Sequence, residues 1–122
     1  MGKAGNKNRS LGTAFEQKAA EFLKEKGYQI LEANFRSRYG EIDLVAKQGK
    51  YLVFAEVKYR KDGKGGHPLE AVDRFKQRRI CKTAEYYCFR HGYGEETPCR
   101  FDVIGILGTE IIHVEHAFSF QR

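Results

Sequence analysis

Residues 40–60 read GEIDLVAKQGKYLVFAEVKYR, and this stretch predicts a β-hairpin. The first strand covers 41–47, the turn 48–50 and the second strand 51–59. Residues 52–55 are apolar without interruption, which is typical of a strand that is covered on both faces. We therefore expect the second strand to lie in the middle of a sheet.

An acid interrupts each strand of this hairpin, Asp43 in the first and Glu56 in the second. A buried carboxylate is costly unless it is paired or binds a metal. If the turn closes with Lys47 opposite Lys50, the two acids point to one face as diagonal neighbours, roughly 7–8 Å apart at the backbone. Lys58 shares that face because side chains alternate along a strand. A register shifted by one residue would send the acids to opposite faces.

The rest of the chain predicts one domain, residues 12–122, behind a flexible basic tail, residues 1–11. The element order α-β-β-β-α-β-β predicts the α/β class, with a single mixed β-sheet of about five strands and helices packed on it. Besides the hairpin, the predicted elements are helices at 14–26 and 68–91 and strands at 28–34, 100–107 and 110–118. The predicted buried side of the second helix consists of Leu69, Val72, Phe75, Ile80, Ala84 and Tyr87.

The composition is basic, with 22 Lys and Arg against 16 Asp and Glu and a net charge of +6. Such a balance favours a polyanionic partner, because Lys and Arg release the counterions condensed on nucleic acid. A soluble basic protein without such a partner has the same balance, so charge alone leaves both interpretations open.

The N-terminal residues, the lengths of the apolar stretches and the cysteines indicate the cellular compartment. The first ten residues contain no secretory signal, and no apolar stretch is long enough to cross a membrane, so we expect a cytoplasmic protein without a membrane partner. Cys81, Cys88 and Cys99 are odd in number and form no C-x-x-C pair. We therefore expect a reducing compartment and cysteines that pack in the core, rather than a disulfide framework or a zinc site.

Two acids and a lysine beside a basic surface predict the hydrolysis of phosphodiesters. Oxygen ligands suit Mg²⁺ or Mn²⁺, so Asp43 and Glu56 are the predicted metal ligands. The metal would polarise a phosphoryl oxygen and acidify a bound water. Lys58 would orient that water or neutralise charge on the phosphate. The alternative is an ordinary solvated ion pair between Glu56 and Lys58.

The pattern of Glu16, GEID at 40–43 and EVK at 56–58 resembles the PD-(D/E)XK nuclease superfamily. Nearly the whole chain more closely resembles the bacterial YraN-like family, which Asn34, Arg36 and the RFDV at 100–103 also match. That family is similar in fold to archaeal Holliday-junction resolvases.

This resemblance implies a nuclease-like domain acting on DNA, with branched DNA as one expected substrate, and a two-fold homodimer, since a junction presents two strands to cut. It makes Asp43 and Glu56 metal ligands, Lys58 the catalytic lysine and Glu16 an additional acid. Glu16 also fits a capping box that starts at Thr13, so a purely structural role stays open. Ile42 stands where the superfamily has its proline.

The predicted nucleic-acid contacts are Arg36, Arg38 and Arg60, which flank the proposed site and suit bidentate phosphate binding, together with Lys76 and Arg79 on the second helix. Each is also consistent with a solvated surface charge. The helix carries the basic run Arg74, Lys76, Arg78, Arg79 and Lys82.

Three further residues or segments carry weaker predictions. Glu41 is either a strand-end charge or a supporting group beside Asp43. Asp102 is predicted to anchor a local hydrogen bond. The Gly- and Lys-rich loop at 60–67 is predicted to be flexible and to become ordered on nucleic acid.

Two functions therefore stay open. The first is a metal-dependent endonuclease that cleaves DNA. The second is a non-catalytic nucleic-acid-binding protein with a nuclease-like fold. An interaction subunit whose partner supplies specificity is a third and weaker hypothesis.

Overall fold

The computed structural model describes residues 14–60 and 67–121. Within these residues the strands form one sheet in the order β1-β2-β3-β4-β5, in which β3 and β4 are parallel and the other neighbours are antiparallel. The elements are α1 (Ala14–Glu25), β1 (Gln29–Ser37), β2 (Gly40–Gln48), β3 (Tyr51–Arg60), a 3-10 helix (Pro68–Ala71), α2 (Arg74–Arg90), β4 (Cys99–Leu107) and β5 (Glu110–Phe118).

The predicted α/β class and element order are confirmed, with β3 at the centre of the sheet. Leu52 and Phe54 pack in one apolar cluster with α2, whereas Val53 and Ala55 pack in a second cluster with α1. Because successive side chains in a strand point to opposite faces, the two helices cover opposite faces of the sheet. The unbroken apolar run thus reflects burial on both sides.

The predicted hairpin register is wrong. Gln48 pairs with Tyr51, so the turn consists of Gly49 and Lys50, and Gly49 has a φ of 57°. Two-residue hairpin turns favour glycine because they need positive φ. The pairing differs from the prediction by two positions, an even number, so the residues expected on one face stay on one face.

The second helix does not run unbroken from residue 68 to 91. Pro68 begins a separate 3-10 helix, and the side chain of Asp73 accepts a hydrogen bond from the N–H of Lys76 at 2.9 Å, which starts α2 anew. Asp is among the best N-cap residues, since its carboxylate satisfies a free N–H of the first turn. Pro68 instead packs on β4, where a Cβ at Gly105 would lie 2.1 Å from the Cγ of Pro68.

Phe75 is the predicted core residue that the structure exposes, with 62% of its surface accessible. Within α2, Phe75 precedes the buried Ile80 by five residues. At 3.6 residues per turn, this places Phe75 about 140° around the helix from Ile80. The ring therefore points away from the sheet.

Other boundaries differ less. The first strand ends at Ser37 rather than residue 34, and the remaining strand limits agree to within a residue or so. The predicted tail, Thr13 of the capping box and residues 61–66 of the predicted loop lie outside the described residues. None of the helices in the described ranges has both the length and the apolar character needed to span a membrane.

Candidate active site

The site lies where β2 and β3 stop pairing. Their last regular pair is Leu44 with Ala55, and the next residue on each strand is an acid, Asp43 on β2 and Glu56 on β3. Oδ2 of Asp43 accepts a hydrogen bond from the backbone N–H of Val57 at 2.8 Å. This bond holds the Asp43 side chain against β3, beside Glu56.

β1 is irregular opposite the same point. Ala33 pairs with Leu44 and Phe35 with Ile42, and Asn34, between the two pairs, has a φ of 55°. Asparagine tolerates this left-handed conformation better than most residues. The kink in β1 therefore accompanies the change in β2 that turns Asp43 toward β3.

Glu56 is buried next to another acid. Burial raises the pKa of Glu56 to about 8, together with the negative charge of Asp43 and a hydrogen bond between the two carboxyl groups. The ammonium groups of Lys76 and Lys58 oppose this rise only in part. The two lysines therefore do not supply enough positive charge to offset the cost of ionising Glu56 beside Asp43.

Two lysines complete the cluster on the α2 face. Nζ of Lys76 lies 3.9 Å from Oε2 of Glu56. Burial, followed by a hydrogen bond and the like charge from Lys76, holds the pKa of Lys58 below its usual value, while Glu56 and Asp43 act in the opposite direction. We call Asp43, Glu56, Lys58 and Lys76 the acid–lysine cluster.

Lys76 was predicted as a nucleic-acid contact and lies inside this cluster. The signal for its position is helical spacing. Lys76, Ile80, Thr83 and Tyr87 recur every three or four residues, and the last three are buried. This stripe, which does not depend on where the helix starts, directs Lys76 toward the sheet.

Glu16 lies in the first turn of α1 and is partly buried. Its neighbour Phe15 stacks on Tyr59 with 3.8 Å between the ring centroids. Tyr59 directly follows Lys58, so α1 begins at the same end of β3 as the cluster, on the opposite face of the sheet. The predicted role of Glu16 as an additional acid stays a prediction.

The predicted arginines separate into two groups. Arg38 donates to the hydroxyl of Tyr39 at 3.1 Å, and Nε of Arg79 donates to the carbonyl of Tyr39 at 3.4 Å. Arg36 instead lies 3.9 Å from Glu41 in an exposed ion pair, and Arg60 donates to the carbonyl of the preceding residue. Glu41 is therefore an exposed strand-end charge that pairs with β1.

Asp102 anchors a buried network, as predicted, and does so away from the cluster. Its carboxylate accepts two hydrogen bonds from Arg100, at 3.0 and 2.9 Å, and one from Nε2 of His113 at 2.7 Å. Lys26 donates to the other ring nitrogen of His113 at 2.8 Å, which makes Nε2 the protonated nitrogen. Asp102 pairs with Ala55, on the α1 face, whereas Glu56 faces α2.

The donor set of the cluster suits a partly hydrated ion. In the residues that the structure describes, no three His, Cys, Asp or Glu side chains are grouped closely enough to hold a metal by themselves. Mg²⁺ is commonly bound by one or two carboxylates plus water and substrate phosphates, so two carboxylates are sufficient.

Fold and cluster define a small α/β protein with paired carboxylates and paired lysines at the open end of a central hairpin. The family model of UPF0102, described as an uncharacterised protein family, matches residues 15–106. The chain belongs to this family, which is the YraN-like family that its motifs resemble.

Its relatives cover most of the chain. A UPF0102 protein of Lachnoclostridium phytofermentans is 51% identical over 88% of this chain and 92% of its own length. A second, from Symbiobacterium thermophilum, is 50% identical over 81% of this chain and 83% of its own. A third, from Chromohalobacter salexigens, is 42% identical over 89% of this chain and 87% of its own length.

Proposed function

We propose that this protein is a metal-dependent endonuclease that hydrolyses phosphodiester bonds in DNA. The observation that carries the proposal is the hydrogen bond from Val57 to Asp43, which restrains one carboxylate beside the buried carboxyl of Glu56. Two acids kept this close gain most from a divalent cation, and the pKa of about 8 for Glu56 reflects its burial first and then its repulsion from Asp43. Carboxylate oxygens are the ligands that Mg²⁺ and Mn²⁺ prefer.

The residues of the cluster have separate roles in this proposal. Asp43 and Glu56 hold Mg²⁺ or Mn²⁺, which when bound supplies Lewis-acid polarisation and a water of lowered pKa. Lys58 orients the attacking water or neutralises charge on the phosphate, and Lys76 brings a second positive charge to the same place. Glu16 is the additional acid that the resemblance implies.

The substrate class follows from charge and resemblance. A net charge of +6 suits a polyanion. The likeness of the YraN-like family to Holliday-junction resolvases favours branched DNA and a two-fold homodimer. Arg36, Arg38 and Arg60 are proposed to contact the DNA backbone around the site.

The test compares the wild type with Glu56→Gln on labelled four-way junction, flap, single-stranded and duplex DNA, in Mg²⁺, Mn²⁺ or EDTA. We expect cleavage by the wild type with metal only, and at least a 10²-fold loss in the variant. Glu110→Gln is the matched control, since Glu110 is an exposed acid at the start of β5. Wild-type protein that cleaves none of these substrates with either metal overturns the proposal.

A second candidate is a non-catalytic nucleic-acid-binding protein. It is favoured by Lys76, whose ammonium lies 3.9 Å from Glu56 and supplies positive charge without a metal. In that case binding to DNA survives EDTA, falls with salt, and is unchanged or tightened by Asp43→Asn. The alternative predicts that Mg²⁺ changes the DNA affinity of wild type and Asp43→Asn by the same factor. If Mg²⁺ strengthens binding by the wild type relative to its effect on Asp43→Asn, this alternative is excluded.

A further inference from the structure

A groove of about 390 Å³ lies next to the acid–lysine cluster, between the β1–β2 turn and the first three turns of α2. Cations and aromatic rings dominate its lining. The residues that matter here are Tyr39, Phe75, Arg78, Arg79 and Lys82. We call this surface the aromatic–cationic groove.

The cations of the groove lie against its rings. The guanidinium of Arg79 is 5.9 Å from the centroid of Phe75, and the ammonium of Lys82 is 5.7 Å from that of Tyr39. Phe75 nevertheless keeps 62% of its surface exposed. A large apolar ring in this position offers a stacking face to a ligand, with positive charge beside it.

The wall formed by Tyr39 is held close to α2. Gly40 has a φ of 149°, and a Cβ there would come within 3.0 Å of Oγ1 of Thr83, so the turn approaches the helix where only glycine fits easily. The hydroxyl of Thr83 in turn donates to the carbonyl of Arg79 at 2.8 Å. The Tyr39 side of the groove is therefore held close to α2.

The groove and the cluster meet in the first turn of α2. Phe75 lines the groove, and the next residue, Lys76, lies 3.9 Å from Glu56. A polynucleotide that places a phosphate at the cluster can therefore reach the groove with a neighbouring nucleotide. Glu85 also lines the groove, but the three cations outnumber it.

We propose that the aromatic–cationic groove binds an unpaired nucleotide of the substrate, with its base stacked on Phe75 and its backbone phosphates at Arg78, Arg79 and Lys82. This inference rests on the proposed function, since it names the form of nucleic acid presented to the same site. Bases in a duplex stack on one another, whereas an unpaired base offers its face to an aromatic side chain. Such stacking tolerates any base.

The experiment measures binding of fluorescent oligo(dT) and of a duplex of equal length by anisotropy, in EDTA so that no cleavage occurs. For Phe75→Ala we expect the dissociation constant for oligo(dT) to rise about 5- to 150-fold, the range typical of losing one stacked base. Duplex binding should change less than twofold. Phe89→Ala is the matched control, because Phe89 is exposed on the same helix and lies outside the groove.

An unchanged dissociation constant for oligo(dT) in Phe75→Ala overturns the proposal, as does an equal loss for oligo(dT) and duplex. Wild-type protein that binds neither ligand overturns it as well. Thermal unfolding of Phe75→Ala should match the wild type, since the ring is exposed. If oligo(dT) binding depends on Phe75 while no substrate is cleaved, the groove proposal stands and the nuclease proposal fails. If DNA is cleaved while the dissociation constant for oligo(dT) does not depend on Phe75, the nuclease proposal stands and the groove proposal fails.

Discussion

The carboxylate of Asp43 accepts a hydrogen bond from the backbone N–H of Val57, with 2.8 Å between the two atoms. The bond joins β2 to β3 just beyond the last regular pair, Leu44 and Ala55. It requires an oxygen at this position but not a charge, because an amide oxygen also accepts. A substitution of Asp43 by asparagine can therefore keep the side chain restrained while it removes the effect of the Asp43 charge on Glu56.

Asp43→Asn should keep the fold and change the titration of Glu56. The charge of Asp43 and its hydrogen bond both raise the pKa of Glu56, so the substitution should lower that pKa from about 8. Carbon-detected NMR of the metal-free protein follows the Glu56 carboxyl directly. Glu41→Gln, which removes an exposed acid of the same strand, should leave the value in place. A Glu56 pKa that stays near 8 in Asp43→Asn would contradict the assigned cause.

Metal-free stability should fall as pH rises from 5 to 8. Glu56 releases its proton near 4.5 in the unfolded chain and near 8 in the folded protein, so the folded state binds more protons between these values. The free energy of unfolding then decreases with rising pH, by an amount on the order of a few kcal/mol. Urea denaturation in EDTA measures it.

Mg²⁺ should restore part of this loss at pH 8, because an ion that binds only the folded state stabilises it. Glu56→Gln, which has no proton to lose, should show a flatter pH dependence and no response to Mg²⁺. Equal Mg²⁺ responses of the two proteins would contradict a metal site at Glu56.

Asp102→Asn should destabilise the protein by about 3–5 kcal/mol at pH 7, because it leaves the buried guanidinium of Arg100 without its counter-charge. Burial alone would raise the pKa of Asp102, but the hydrogen bonds from His113 and Arg100 outweigh it, and the pKa lies below the usual value. The stabilisation is therefore present above pH 3.8 and is lost as pH falls through the lower folded pKa.

Chemical denaturation of wild type and Asp102→Asn at pH 7 and pH 3 measures both the destabilisation and its dependence on pH. The difference between the two proteins should shrink at the lower pH. A difference that is the same at both values would show that packing, and not charge, is what Asp102 supplies.

Gly105→Ala should displace the 3-10 helix from β4. A Cβ at Gly105 would lie 2.1 Å from Cγ and 2.6 Å from Cβ of Pro68, too close for the packing to persist. Overpacking of this kind costs about 1–3 kcal/mol. Gly105 pairs with Lys58, so the shift should also reach the acid–lysine cluster.

A double-mutant cycle with Pro68→Gly isolates this contact, because that change removes both clashing atoms. The double variant should be less destabilised than the sum of the two single variants. Strict additivity of the unfolding free energies would show that the clash is relieved in some other way.

The face shared by Asp43 and Glu56 could be predicted although the register was wrong. Side chains repeat every two residues along a strand, so an error of two positions leaves the same residues together. The apolar run at 52–55 likewise placed β3 correctly, because burial on both faces demands an unbroken stretch. Neither inference needs contacts with the rest of the chain.

The position of Lys76 and the exposure of Phe75 could not be obtained in this way. The predicted helix runs from residue 68 to 91, which makes Leu69, Val72 and Phe75 a row of apolar residues three apart. In the structure Leu69 and Val72 lie outside α2. Pro68 packs on Gly105, 37 positions away along the chain, and this contact belongs to the separate 3-10 helix. Within α2 the relative angles are fixed at about 100° per residue, so the row through Lys76, Ile80, Thr83 and Tyr87 faces the sheet and Phe75 does not.

The parallel pairing of β3 with β4 has a consequence for the order in which the protein folds. Parallel neighbours need a crossing connection, and here that connection carries the 3-10 helix and α2. Asp43 and Glu56 come from a hairpin closed by two residues, which forms through short-range contacts, whereas Lys76 joins them only after a long loop has closed. We expect the two acids to meet early in folding with only Lys58 beside them, so that docking of α2, which adds Lys76, or a captured cation, completes the site.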